Sequence, residues 1–295
     1  MGHRILHLSD THLTATGVDE DGVDSGTALD RMLYDARHVP DIDLVVVSGD
    51  IADDGSRGGY AGVLERVGRF AAERGITHVY CTGNHDDRDA FAAVLGSGHR
   101  AADGGDVGVV AAGLDLRAAV SEVRGLRVVT LDSLVPGAVH GMIGDAQATW
   151  LADVLAEPAA AGTVVILHHP PIAPIDSPLL GSVNLRDADR LASLVQGSDV
   201  RVLLCGHFHL QLTGSLAGVP VWVTPGVITR IDRTAPPHLE RAVLGASATV
   251  VDLGVPGGPM FHTLHARDSR AGTAVYLVDA VSGADAVEED DRLAV

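Results

Sequence analysis

The most continuous apolar run in the chain, Leu44-Val45-Val46-Val47-Ser48, stops abruptly at Gly49-Asp50. Apolar positions without polar alternation predict a strand covered on both faces, central in its sheet. Gly49 allows a tight turn, so Asp50 is expected at the carboxyl end of that strand, where open α/β sheets bind ligands. The same pattern recurs along the chain. Ile5–Leu8 ends in Ser9-Asp10-Thr11-His12, and Ile76–Cys81 in Thr82-Gly83-Asn84-His85-Asp86. Leu126–Leu131 ends in Asp132-Ser133, Thr163–Leu167 in His168-His169-Pro170-Pro171, and Val200–Cys205 in Gly206-His207-Phe208-His209.

Between these runs the period changes to that of helices. Ser25 or Thr27 is expected to cap a helix to about Arg37, with Leu29, Met32 and Leu33 on its inner face. A second helix, 59–73, carries Val63, Leu64, Val67 and Phe70 on one side; others are predicted near 88–95, 146–155 and 187–196. The opening β-α-β-α-β order predicts an α/β fold whose first sheet is largely parallel. The strands expected at Val219–Val223, Ala248–Leu253 and Met260–Leu264 have no helices between them, which suggests a second, more mixed sheet. His99–Gly113, rich in Gly and Ala, has no decisive pattern. Without an internal repeat or a linker, residues 1–283 read as one domain. The acidic tail 284–295, with Glu288-Glu289-Asp290-Asp291, is expected to be solvated and mobile.

Composition narrows the function classes. At 46% hydrophobic and 20% charged residues, the chain can bury a sizeable core and is not a disordered one. Aromatics are only 3%, so the core is aliphatic and stacking platforms for single-stranded nucleic acid are scarce. A formal charge of −18 opposes attraction to phosphate backbones, so no nucleic-acid polymer is expected as a partner. Cys81 and Cys205 sit within apolar runs and read as buried thiols rather than a disulfide framework. The start MGHRILHLSDTH has no signal-peptide pattern, and no stretch is long enough to span a bilayer; a cytoplasmic location is expected.

The strand-end groups Asp10, His12, Asp50, Asn84, His168, His207 and His209 are imidazoles, carboxylates and one amide, without thiolate. That donor set suits Mn, Fe, Zn or Co. It is too large for one tetrahedral ion, but it serves two ions of higher coordination number if one carboxylate bridges them. In an extended chain, Asp-x-His and His-x-His place two donors on one side. Taken singly, each motif reads as an ordinary turn or surface histidine. In this order, each at the end of an apolar run, they read together as a binuclear site.

Asp10-Thr11-His12, Gly49-Asp50, Gly83-Asn84-His85-Asp86, His168-His169-Pro170 and Gly206-His207-Phe208-His209 together resemble the five-block signature of calcineurin-like metallophosphoesterases. Leu6–Leu13, Gly83–Arg88, Leu131–Gly137 and His168–Ile172 further resemble class III cyclic nucleotide phosphodiesterases, in their actinobacterial branch. The resemblance implies a four-layer αββα sandwich of two mixed sheets flanked by helices. It implies that Asp10, His12 and His209 hold one ion, that Asn84, His168 and His207 hold the other, and that Asp50 bridges, with Fe and Mn favoured. His168, two residues before the proline, is then the ligand and His169 its neighbour.

The resemblance also implies hydrolysis of a 3′,5′-cyclic nucleotide, cyclic AMP first, by a hydroxide bridging the metals, with His85 and Asn84 beside the phosphate. His85 would be a catalytic residue alongside Asp50. Asp86 either orients His85 or caps the following helix. Arg88 and Arg186 read as surface arginines or phosphate contacts, and His140 as a residue near the substrate mouth. The competing functions are hydrolysis of 2′,3′-cyclic nucleotides, glycerophosphodiesters or phosphomonoesters, and, remotely, a non-catalytic scaffold. A homodimer is expected from the resemblance.

Overall fold

The computed structural model describes residues 2–19, 21–236 and 238–286. The chain begins with β1 (His3–Leu8), α1 (Ser25–Ala36), β2 (Leu44–Ser48), α2 (Arg57–Ala72), β3 (Thr77–Cys81), α3 (Arg88–Leu95) and the short β4 (His99–Arg100). β1, β2 and β3 pair in parallel, as the alternation of periods predicts, but the whole sheet is mixed rather than largely parallel, three of its five pairings being antiparallel. The chain then crosses to a second sheet through β5 (Val109–Val110), β6 (Ala119–Val123), β7 (Leu126–Thr130), α4 (Gly144–Leu155) and β8 (Thr163–Ile166). α5 (Pro178–Val183), α6 (Ala188–Val195), β9 (Val200–Cys205), β10 (Leu212–Leu216) and β11 (Val219–Val223) complete it, in the order β10-β11-β9-β8-β7-β6-β5. The last elements are β12 (Thr229–Asp232), β13 (Leu239–Leu244), β14 (Ser247–Leu253), β15 (Met260–His265) and β16 (Ala274–Asp279).

The continuous apolar runs are explained by two-sided burial. Leu6, Leu8, Val45, Val47 and Tyr80 face a core shared with Leu29, Met32, Tyr60, Val63, Val67, Phe70 and Phe91 of α1–α3. Their alternates Ile5, Val46, Val79 and Cys81 face the other sheet, meeting Val128, Val164, Val202 and Leu204. On the far side of the second sheet, Val129, Val165, Leu203 and Cys205 pack against Leu151, Leu180, Leu191 and Val195 of α4–α6. Helices, sheet, sheet and helices therefore form the four expected layers. Both cysteines are free and buried.

The late strands do not form one sheet, as expected from their spacing, but divide three ways. β11 joins the second sheet parallel to β9. β14 returns to pair antiparallel with β1, extending the first sheet to β15-β14-β1-β2-β3-β4. Its Ala248 faces the helix side and its Val251 and Leu253 the inter-sheet core, so it is apolar on both faces, as that position requires. β12, β13 and β16 form a separate antiparallel sheet that the sequence pattern did not announce. Its strands are short and of mixed polarity. Residues 284–286, placed by sequence in the tail, fold back on β16, with Ala286 N–H donating to Leu277 O at 2.9 Å. Residues 287–295 lie outside the described residues.

Candidate metal centre

The carboxyl ends of β1, β2, β3, β8 and β9 converge at one edge of the sandwich, and hydrogen bonding continues past the strands. Asp10 N–H donates to Gly49 O at 3.1 Å, His12 N–H to Asp50 O at 3.0 Å, and Gly206 N–H to His168 O at 3.0 Å. The turns are tight enough to require unusual backbone. Asp10, His12, Asp50, His207 and His209 have φ of 55°, 44°, 44°, 71° and 46°, a left-handed region that costs non-glycine residues energy and gathers at functional sites. Gly49, at φ 93°, also lies against the His168 ring, leaving no room for a Cβ.

This backbone brings the predicted donors together. Asp10 lies 3.4 Å from His209 Nε2 and 3.9 Å from His168 Nε2, and Asp50 lies 3.0 Å from His168 Nε2 and 3.7 Å from His12 Nε2. Each histidine is held through its other nitrogen. His168 Nδ1 donates to Ser48 O at 2.7 Å, and His207 Nε2 to Val183 O at 3.0 Å. His12 Nδ1 meets Asp53 Oδ1 at 2.7 Å, and His209 Nδ1 meets Thr229 Oγ1 at 2.7 Å. Such outer partners fix ring orientation and raise the basicity of the inward nitrogen. The inward atoms His12 Nε2, His168 Nε2 and Asn84 Oδ1 are buried with no hydrogen-bond partner. Buried polar atoms are rarely left so, and a cation is what three acceptors aimed into one space fit. Four groupings there have donor atoms close enough together to hold a metal: Asp10/His12/His209, Asp10/Asp50/His168, His12/Asp53/His85 and His168/His169/His207.

His169 belongs to the last grouping, yet both its nitrogens are engaged, Nδ1 with Ser133 Oγ at 2.8 Å and Nε2 with Val139 O at 3.0 Å. Burial drives its pKa well down, so it is neutral. Burial also disfavours charge on Asp50, but His168, His85 and His12 outweigh it and hold the carboxylate ionised.

His85 lies in the same cleft, its ring 4.7 Å from that of His12. Its Nδ1 is 3.2 Å from Asp53 Oδ1 and 3.2 Å from Asp53 O, and its backbone N–H donates to Asp50 Oδ1 at 2.9 Å. Burial opposes a charged ring, but Asp53 and Asp50 prevail and push the His85 pKa up to about 10. Asp53 was not singled out from sequence; its signal was a second carboxylate three positions after Asp50 in the same turn. Asp86 neither orients His85 nor caps a helix. It accepts from the backbone N–H groups of Ile51, Ala52 and Gly83 and so ties the Asp50 turn to the Asn84 turn, while Asp87 caps α3.

Arg88 is committed to Asp132, at 2.6 Å, and to Leu134 O. Arg186 is exposed, donates to Ser182 O at 2.6 Å, and does not line the cleft. His140 does not line it either; its neighbour Val139 does. The cleft encloses about 590 Å³, with Leu179, Leu180, Val183, Ile228 and Ile231 supplying apolar wall and Asp19, Asp53 and Glu240 adding carboxylates.

A two-sheet sandwich with histidines, carboxylates and an asparagine converging at its strand ends is the arrangement of a metal-dependent phosphoesterase, and the chain belongs to the calcineurin-like phosphoesterase family, whose profile matches residues 3–211. A Rhodococcus erythropolis protein named "Probable cyclic nucleotide phosphodiesterase" is 41% identical over 226 residues, covering 75% of this chain and 69% of that one. The cAMP/cGMP dual specificity phosphodiesterase of Mycobacterium tuberculosis is 37% identical over 78% of this chain and 69% of its own. The Pseudomonas aeruginosa 3′,5′-cyclic adenosine monophosphate phosphodiesterase CpdA is 30% identical over 94% of this chain and 90% of its own. Among solved structures, GAP50 of Plasmodium superposes with a TM-score of 0.52 at 11% identity, covering 97% of this chain and 87% of its own, a likeness of fold. Among the described residues, no helix is long and apolar enough to cross a membrane.

Proposed function

We propose that the protein hydrolyses 3′,5′-cyclic nucleotides at a two-metal centre. Asp10, His12 and His209 hold one ion, Asn84, His168 and His207 the other, and Asp50 lies between them. The observation that carries this reading is that His12 Nε2 and Asn84 Oδ1 are buried without partners where they line the cleft that His85 enters, with His168 Nε2 3.0 Å from the Asp50 carboxylate that also lines it. The relatives named as cyclic nucleotide phosphodiesterases support the substrate class. The nitrogen and oxygen donor set suits Mn, Fe, Zn or Co, and the family resemblance favours Fe and Mn among them.

When bound, the ions neutralise charge on the phosphate and acidify a water. The chain's own residues do the rest. Asp50 contributes an ionised carboxylate at the centre, and Asn84 offers a neutral carbonyl that adds no further negative charge. His85, fastened at Nδ1 by Asp53, keeps Nε2 for the cleft, and the Asp53 carboxylate favours its protonated form. As water adds to phosphorus and one ester P–O bond breaks, His85 Nε2–H delivers the proton that the departing oxygen needs. Donation of this kind is worth roughly 10²–10⁴ in rate. A homodimer and a cytoplasmic location complete the reading; sedimentation and cell fractionation test them.

The experiment is elemental analysis of the purified protein with Mn-supplemented assays on cyclic AMP, cyclic GMP, a 2′,3′-cyclic nucleotide, a glycerophosphodiester and a phosphomonoester. The 3′,5′-cyclic nucleotides are expected to give the highest kcat/KM. Asp50→Ala is expected to lower occupancy of both ions and nearly abolish turnover, whereas His12→Ala weakens mainly one. Full activity in Asp50→Ala would overturn the metal assignment, and higher kcat/KM on another ester would overturn the substrate.

A further inference from the structure

The cyclic-nucleotide reading leaves one wall of the cleft without a task. The sheet β12-β13-β16 lies beyond residue 211, where the family profile ends, yet it faces the metal centre. Its register sets Ile231 opposite Ala242, Ala242 opposite Tyr276 and Glu240 opposite Val278, so these side chains share one face. Ile231, Glu240, Tyr276 and Val278 all line the cleft, as does Thr229, which bonds to His209 at 2.7 Å and anchors the sheet to the ligand loops.

Within the three strands the polar side-chain groups facing the cleft beyond Thr229 are the Glu240 carboxylate and the Tyr276 hydroxyl, with Asp285, which bridges to Val278, beside them. Among the described residues, neither Glu240 nor Tyr276 makes a side-chain hydrogen bond. The Glu240 carboxylate is half-buried and partial desolvation disfavours its charged form, which a ligand that supplies N–H groups offsets. Burial, with Glu240 adding to it, raises the pKa of Tyr276 and keeps its hydroxyl as a donor. The cleft, at about 590 Å³, lies within the size range of ligand pockets, roughly 300–1,000 Å³, and has phosphate chemistry at one end and this pair on the adjoining wall.

We infer that Glu240 and Tyr276 read the nucleobase of the substrate and favour guanine. This rests on the cyclic-nucleotide reading above. The guanine edge offers two adjacent donors, N1–H and the 2-amino group, which one carboxylate accepts together, beside O6, which accepts from a hydroxyl. Adenine presents a lone pair at N1 and a single amino group, so a carboxylate meets one donor and one repelling acceptor. Glutamine in place of Glu240 presents one donor and one acceptor, the pattern adenine matches.

The test compares kcat/KM for cyclic GMP and cyclic AMP in the Mn-loaded full-length protein, in Glu240→Gln and in Tyr276→Phe. The ratio of the two substrates cancels any loss of folded or metal-loaded enzyme. A bidentate base contact predicts that the cyclic GMP to cyclic AMP ratio falls about tenfold in Glu240→Gln. Loss of the hydroxyl contact to O6 lowers it by a smaller factor in Tyr276→Phe. A fall of less than about threefold in Glu240→Gln, or a rise, overturns the base reader while leaving the hydrolase standing. If the unmodified protein cleaves bis(p-nitrophenyl) phosphate but neither cyclic nucleotide, the substrate reading and the base reader fall together.

Discussion

At the scale of single residues, Asp53 has the widest reach for its size. It holds Nδ1 of His12 at 2.7 Å and Nδ1 of His85 at 3.2 Å, so one carboxylate orients a proposed metal ligand and the proposed proton donor. Asp53→Asn is expected to lower kcat/KM about 10–100-fold, the usual cost of losing an outer partner at a metal site. A pH profile separates this positioning role from simple damage. Asp53 helps raise the His85 pKa to about 10, so its loss lets that value fall. The basic limb of the rate profile then moves to lower pH, because His85 loses its proton sooner. An unmoved limb would rule out Asp53 as the partner that sets His85's charge. Asp50 and Asn84 were legible in sequence because a carboxylate or amide directly ending an apolar run is conspicuous. Asp53 sits one turn further on among other polar residues, and only folding shows which way its side chain points.

At the scale of elements, β2 shows what an unbroken apolar run means. Val45 and Val47 face the helices, while Val46 faces the opposite sheet, and all are fully buried. Val46→Ala removes two methyl groups from the contact between sheets and is expected to cost about 2 kcal/mol, measured by chemical denaturation. Val109→Ala at the outer edge, where the valine is 68% exposed, is expected to change stability by less than about 0.5 kcal/mol. Similar costs at the two sites would contradict the layer assignment. The helices and central strands were readable because burial imposes a period on them. The β12-β13-β16 sheet was not, because one face covers a polar cleft and its side chains alternate without a uniformly apolar side.

For the whole molecule, buried neutral histidines set the response to acid. His99 bridges Ser121 Oγ at 2.6 Å and Thr130 Oγ1 at 2.9 Å, and burial lowers its pKa to about 4; burial likewise lowers His78 to about 4. An unfolded histidine titrates near 6.5, so the unfolded chain takes up these protons first. Their contribution is intact above about pH 6.5 and is lost as pH falls toward about 4. At pH 5 the loss is about 2 kcal/mol for His99. His99→Gln, whose amide also bridges hydroxyls, is therefore expected to lose less stability than the unmodified protein between pH 8 and pH 5. Equal losses in denaturant titrations would show that His99 does not carry the effect.

The sequence by itself determined the class of fold, the alternation of strands and helices along the first part of the chain and the identity of the strand-end donors. Those properties are written in period and in residue type at fixed places, and each strand end follows locally from the run before it. Only the tertiary structure decided which donors face one another, which nitrogen of each histidine points inward, and that Asp53 rather than Asp86 grips His85. It also decided that late strands separate among three sheets and that one of these roofs the cleft with Glu240 and Tyr276. These depend on contacts between segments far apart in the chain, such as Asp10 with His209 and, across β1 and β14, His3 with Leu253. No local pattern encodes such a distance; packing both faces of every central strand at once does.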